Sequence, residues 1–151
     1  MKGGSIESYI EQISQYRKWK VGKDSGGYTT VDVVLQDGGD HRVTVMRRLD
    51  FNGAVAVFFF CVVGPDDQVK DPAEVLKDNG FMNHGTFAIW GNRLIVMDTQ
   101  LEEAADIEEV AATIFHLATY ADRLEKAKVA KEGPKDIGTI LGGPKPGLKP
   151  M

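Results

Sequence analysis

Residues 54–63, AVAVFFFCVV, are ten consecutive apolar residues. A strand with one face in water alternates apolar and polar side chains, so a run apolar at both parities must bury both faces or await a partner. The cover has to come from the rest of the chain or from another molecule. That remainder reads as three helices and a few half-polar strands.

Ahead of the run the period is helical. Ile6, Tyr9, Ile10, Ile13 and Tyr16 recur every three or four residues behind Ser5, an N-cap residue, with Glu7 and Glu11 early in the helix. Gly22 to Gly27 breaks this pattern. From Tyr28 the period is two: Val31, Val33 and Leu35 alternate with Thr30, Asp32 and Gln36 until Asp37-Gly38-Gly39-Asp40 supplies turn chemistry. Val43, Val45 and Leu49 continue on the return strand with Arg42, Thr44 and Arg48 opposite, and Asn52-Gly53 turns into the apolar run. The spacing predicts a three-stranded antiparallel meander whose third strand is central.

Gly64-Pro65-Asp66-Asp67 ends the run, and Asp71-Pro72-Ala73-Glu74 opens a short helix with an N-cap, a proline at the first helical position and a carboxylate three residues past the cap. Asn79-Gly80 closes it. Phe87 to Trp90 and Leu94 to Met97 flank Gly91-Asn92, the signature of a tight hairpin. Asp106-Ile107-Glu108-Glu109 then starts the longest helix, whose core face is Ile107, Val110, Ala111, Ile114, Leu117, Ala118, Ala121 and Leu124. The fold class expected is α+β: helix, three-stranded antiparallel meander, short helix, two-stranded hairpin, long helix. Residues 1–131 are expected to form a single α+β domain. Residues 132–151, rich in Gly, Pro and Lys, read as a flexible tail, because a segment with so little to bury cannot offset the entropy of ordering its backbone. Ile137, Ile140, Leu141 and Leu148 are its apolar anchors, available to lie on an acidic surface in extended form.

The formal net charge is -4, but six lysines from Lys126 onward face only Glu132 and Asp136, so residues 1–125 carry about twice that negative charge. An acidic body argues against nucleic acid, since phosphate neutralisation needs clustered Lys and Arg, and Arg42, Arg47 and Arg48 are the one compact basic group. Cys61 stands alone, so no intrachain disulfide forms, which fits a reducing compartment. The opening MKGGSIESYI lacks a signal-peptide core, and no segment approaches the roughly 20 apolar residues that span a bilayer. A cytoplasmic location without membrane contact is expected.

Chemistry-bearing motifs are scarce. His41, His84 and His116 lack zinc-site spacing, and Asn83-His84-Gly85 reads as a turn. Cys61, between Phe60 and Val62, has no neighbouring base and reads as a small buried hydrophobe. Glu102, Glu103, Asp106, Glu108 and Glu109 cluster at a helix start, where the helix dipole accounts for most of them. Asp37-Gly38-Gly39-Asp40 lacks the closing glutamate of a calcium loop, and Gly142-Gly143-Pro144-Lys145 lacks the ending of a phosphate loop. No catalytic residue, cofactor or metal is therefore assigned.

The aromatic residues set the remaining question. Phe58 and Phe60, at one parity, are expected under the first and third helices, leaving Val55, Val57, Phe59, Cys61 and Val63 on the other face. Two long helices cover one face of a five-stranded sheet, so the second face is left to the short helix, a second subunit or a client. The alternative is a small enzyme or ligand-binding domain with a pocket near Trp90, Arg93 and His84. It would bring two or more of His41, His84, Asp98 and Arg47 within hydrogen-bonding range.

In element order, and in the hairpin FAIWGNRLIVMDTQL feeding the capped helix DIEEVAATIFHLATYADRLEKA, residues 5–128 resemble the YbjN-like and class I type III secretion chaperone superfamily. The resemblance implies a small, acidic, cytoplasmic, non-enzymatic homodimer whose secretion-chaperone members hold an extended effector segment in hydrophobic grooves. It also implies that the short middle helix and nearby strands form the dimer contact. That contact would include Val75 and Leu76, and the surplus apolar face of the strand adds Val55, Val57, Phe59 and Val63 to the expected partner or dimer surface. The basic, proline-rich tail departs from the family pattern.

Overall fold

The Ser5 side chain accepts a hydrogen bond from the Ser8 backbone N–H at 3.1 Å and starts α1 (Ile6–Arg17). Lys18 ends that helix in the left-handed conformation, φ +60°, and Trp19 follows, buried. The computed structural model describes residues 5–36, 39–50, 52–65, 72–82, 84–91 and 93–126. The expectations placed on Asp37-Gly38, Asp71, Asn83, Asn92 and the tail lie outside these residues.

Six strands follow, β1 (Lys20–Lys23), β2 (Thr29–Val34), β3 (Asp40–Leu49), β4 (Val55–Pro65), β5 (Thr86–Trp90) and β6 (Arg93–Leu101). They form one antiparallel sheet in the order β1-β2-β3-β4-β6-β5. The apolar run is central, as its pattern requires, flanked by β3 and β6. A short α2 (Pro72–Lys77), continued by a 3-10 turn over Asp78–Phe81, precedes β5. After β6 a 3-10 turn, Glu102–Ala104, leads to α3 (Ile107–Leu124), where the Asp106 side chain accepts from the Glu109 N–H at 2.9 Å.

β1 was not expected. Its sequence KVGK carries a glycine and two lysines, so it resembles a break, yet it pairs with β2 from Lys20↔Asp32 to Lys23↔Thr29. Asp24 makes this hairpin: its Oδ1 accepts from the N–H groups of Gly26 and Tyr28, both at 2.9 Å, while Gly27 takes φ +85°. The β3–β4 connection repeats the device. Asp50 Oδ1 accepts from Asn52 and Ala54, and Gly53 takes φ +85°, so Asn52-Gly53 sits inside a longer loop organised by the aspartate.

Both long helices lie on the same face. Ile6, Tyr9, Ile10 and Ile13 of α1, and Val110, Ile114, Leu117 and Ala121 of α3, close over Val31, Val43, Val57, Phe59, Cys61 and Val96. This corrects the parity expected for β4. Val57, Phe59 and Val63, at 0%, 0% and 1% exposed, are core under the helices, and Phe58 and Phe60 face the other way. The register supplies the reason: Phe59 pairs with Val45 and Cys61 with Val43, and in β3 those valines are the apolar side of an alternating strand.

Candidate partner-binding surface

Among the described residues, the second face of the sheet is built from strand residues and Tyr28. Met46 of β3, Phe60 of β4 and Ile95 of β6 are buried there, and Tyr28, Phe58, Val62, Ala88, Trp90 and Met97 are half-buried around them. Phe60 meets Trp90 edge to face, with centroids 5.4 Å apart and planes at 71°. The Arg48 guanidinium stands 4.2 Å over the Phe58 ring. Between Phe58, Ala88, Ile89, Trp90 and Met97 lies a shallow pocket of about 210 Å³, with Arg48 at its rim. Ile89, opposite Leu94 and at the parity of Phe87, turns to the other face and exposes 43% of its surface on the outermost strand. Arg93, paired in register with Trp90, is buried, and that burial lowers its pKa.

Such a surface can accept an apolar side chain and place a cation beside a carboxylate or backbone carbonyl. Among the described residues no group of three or more His, Cys, Asp or Glu side chains is placed to hold a metal ion. Burial pushes the Cys61 thiol up to about 12, so it stays protonated inside the first-face core.

The other residues singled out by sequence disperse. Val57, Phe59, Val63 and Val75 are buried in the main core, Val55 is half-buried, and Leu76 on α2 is 39% exposed. His41 Nε2 lies 2.9 Å from Asp122 Oδ1, a buried contact that ties β3 to the end of α3, with Lys126 Nζ on the second carboxylate oxygen at 3.0 Å. His84 stacks on His116 of α3 with ring centroids 4.6 Å apart, away from Trp90 and Arg93 on the opposite side of the sheet. Asp98 accepts from the Thr99 N–H. His41, His84, Asp98 and Arg47 therefore do not converge.

Arg47, singled out in the sequence as a basic and candidate pocket residue, has instead a bridging role that no local pattern indicated. It donates to Glu102 at 2.7 Å and to Glu7 at 2.6 Å, joining β3 to α1 and to the turn before α3. The Arg47 guanidinium holds the Glu102 carboxyl below its ordinary range. Glu102 thus belongs to an ion-pair network, in addition to any service to the helix dipole. On the sheet's outer edge, Asn79 accepts from the Phe87 N–H at 2.6 Å and donates to its carbonyl at 3.1 Å, imitating a neighbouring strand.

A second concavity lies between the helices on their solvent side. It measures about 580 Å³ and is lined by Ile13, Tyr16, Ile107, Glu108, Ala111 and Ala112, with Gln12 and Arg17 at its margin. Tyr16 exposes 85% of its surface.

No protein-family model matches the sequence. No curated protein matches it either. Solved structures do match in fold. A chain of the HopA1-SchA chaperone-effector complex aligns over 80% of this chain and 92% of its own, with a TM-score of 0.52 at 8% identity. A chain from the complex of the Yersinia pestis type III secretion chaperone SycH with a stable fragment of YscM2 aligns over 78% of this chain and 97% of its own, with a TM-score of 0.50 at 13% identity. The α+β fold of this chain is similar to that of these chains from type III secretion chaperone and chaperone-effector complexes.

Proposed function

We propose that this chain is a non-enzymatic protein-binding module of the secretion-chaperone kind, which holds an extended segment of a partner polypeptide against the second face of its sheet. The observation that carries this reading is the aromatic, strand-built surface around Phe58, Phe60 and Trp90, rimmed by Arg48. An extended chain offers side chains at alternate positions, which suits a shallow pleated surface. The structural neighbours come from complexes of chaperones with protein partners, and their fold likeness supports the same general role. Homodimerisation through α2 and a cytoplasmic site of action complete the proposal. In it Leu76 contributes to the contact directly, and Val75 fixes α2 to the core. Val57, Phe59 and Val63 shape the sheet from beneath, and Val55 lies at the start of the central strand.

The test is retention of partner by tagged protein from its source cells. The double variant Phe58→Asp, Ala88→Asp should lose a polypeptide that co-purifies stoichiometrically with the unaltered chain. Equal recovery with both proteins would contradict the assignment to this face.

A further inference from the structure

The groove between α1 and α3 is mostly apolar, and its Tyr16 wall stands in solvent. One carboxylate, Glu108, and one guanidinium, Arg17, line it, the latter held over the Trp19 and Phe115 rings. Glu7 and Glu102 are engaged by Arg47, but Glu11, Glu103 and Glu109 are exposed on the same helices or the turn before α3, so the surroundings are acidic on balance. A ligand suited to it is an extended basic segment with a few aliphatic side chains.

The chain itself contains such a segment. Residues 127–151, outside the described residues, follow directly on α3 and hold Lys128, Lys131, Lys135, Lys145 and Lys149 against Glu132 and Asp136, with Ile137, Ile140 and Leu141 grouped in the middle. Reach is sufficient. α3 is 18 residues long, so a return from its C-terminal end to the groove near its start covers at most about 27 Å at 1.5 Å per residue. Roughly eight extended residues span that distance, and Ile137 lies beyond that point. Gly138 and Thr139 are small enough to pass close to Ala111 and Ala112. The second face of the sheet is the poorer home for this segment, since Arg48 and Arg93 repeat the tail's own charge there. Tethering raises the local concentration of the segment to the millimolar range, so weak contacts suffice.

We propose that the C-terminal segment of this same chain returns antiparallel along α3 and docks Ile137, Ile140 and Leu141 in the groove between α1 and α3. The groove then holds an internal ligand that an external segment of like chemistry must displace. This docking stands apart from the sheet-face reading, and either can fail without the other.

Paramagnetic relaxation in the full-length protein tests it. A nitroxide is attached at the position of Thr139→Cys, while the buried Cys61 remains unlabelled. The backbone amide signals of Tyr16, Ala111 and Ala112 should lose most of their intensity, and the reversal Glu108→Lys with Glu109→Lys should restore it. In unlabelled full-length protein, Ile140→Asp with Leu141→Asp should shift the same three amides. Broadening centred on Phe58 and Trp90, broadening that appears only between mixed molecules, or no localised effect together with no shift in the variant would overturn the proposal.

Discussion

Phe58 and Phe59 are adjacent in sequence and lie on opposite faces of the sheet, so replacing each by alanine separates core from binding surface. Phe59 is 0% exposed and packed beneath the helices. Emptying such a site costs about 3–5 kcal/mol, from lost transfer energy and the cavity left behind. Phe58 is half-buried on the second face with the Arg48 guanidinium over its ring. Removing it forfeits about half of a full side-chain burial, roughly 1 kcal/mol, plus about 0.5–1 kcal/mol from the cation–π contact. The expected pair is therefore about 4 kcal/mol against 1–2 kcal/mol. Urea unfolding followed by far-ultraviolet circular dichroism reads both as shifts of the midpoint at unchanged slope. Phe58→Ala costing as much as Phe59→Ala would refute the assignment of faces, and with it the claim that the second face is spared for a partner.

Other expectations follow from single sites. Gly85 has φ +81°, and a Cβ there would lie 2.9 Å from the Met97 carbonyl oxygen and 2.7 Å from Leu117 Cδ2, so Gly85→Ala should destabilise by about 2–4 kcal/mol in the same assay. Glu102→Gln should cost about 1 kcal/mol at neutral pH. Because the folded Glu102 carboxyl lies below its ordinary value, that contribution is present above about pH 4.3, the unfolded value, and is lost as pH falls through the folded one; an equal deficit at all pH values would contradict the pairing with Arg47. Cys61, pushed up to about 12 by burial, should resist iodoacetamide in the native protein and react fully in denaturant, whereas labelling under native conditions would show the first-face core to be open. Leu76→Asp on α2 should convert the proposed dimer to monomer in sedimentation equilibrium, and an unaltered protein that is strictly monomeric at high micromolar concentration would remove the dimer from the account.

Most of the architecture was legible because local signals and long-range patterns agreed. Ser5 and Asp106 cap the helices they were expected to cap, and α3 buries the stripe that its period marks. The central strand was identifiable from its double apolarity, but that same property hid its orientation, since either parity of AVAVFFFCVV can face a core. The missing information lay in the neighbour: Val43 and Val45 alternate with polar residues, and a connection pairing Leu49 with Val55 places Phe59 and Cys61 on their side. β1 escaped because four residues with a glycine carry no period. The Asp24 and Asp50 loops were hidden because an aspartate reaching two N–H groups looks like any polar turn residue. The stacking of His84 on His116 and the Arg47 bridge depend on elements 32 and 55 residues apart along the chain, which no local pattern reports.

Site-specific photo-crosslinking tests the binding claim most directly. A benzophenone side chain at Ala88, half-buried on the second face beside the pocket, is irradiated in the source cells, with the same group at Arg123 on the outer side of α3 as control. The account predicts one dominant adduct at Ala88, absent at Arg123, whose crosslinked peptide belongs to an extended apolar segment of another protein. Adducts of equal yield at both positions, or none at Ala88, would contradict it.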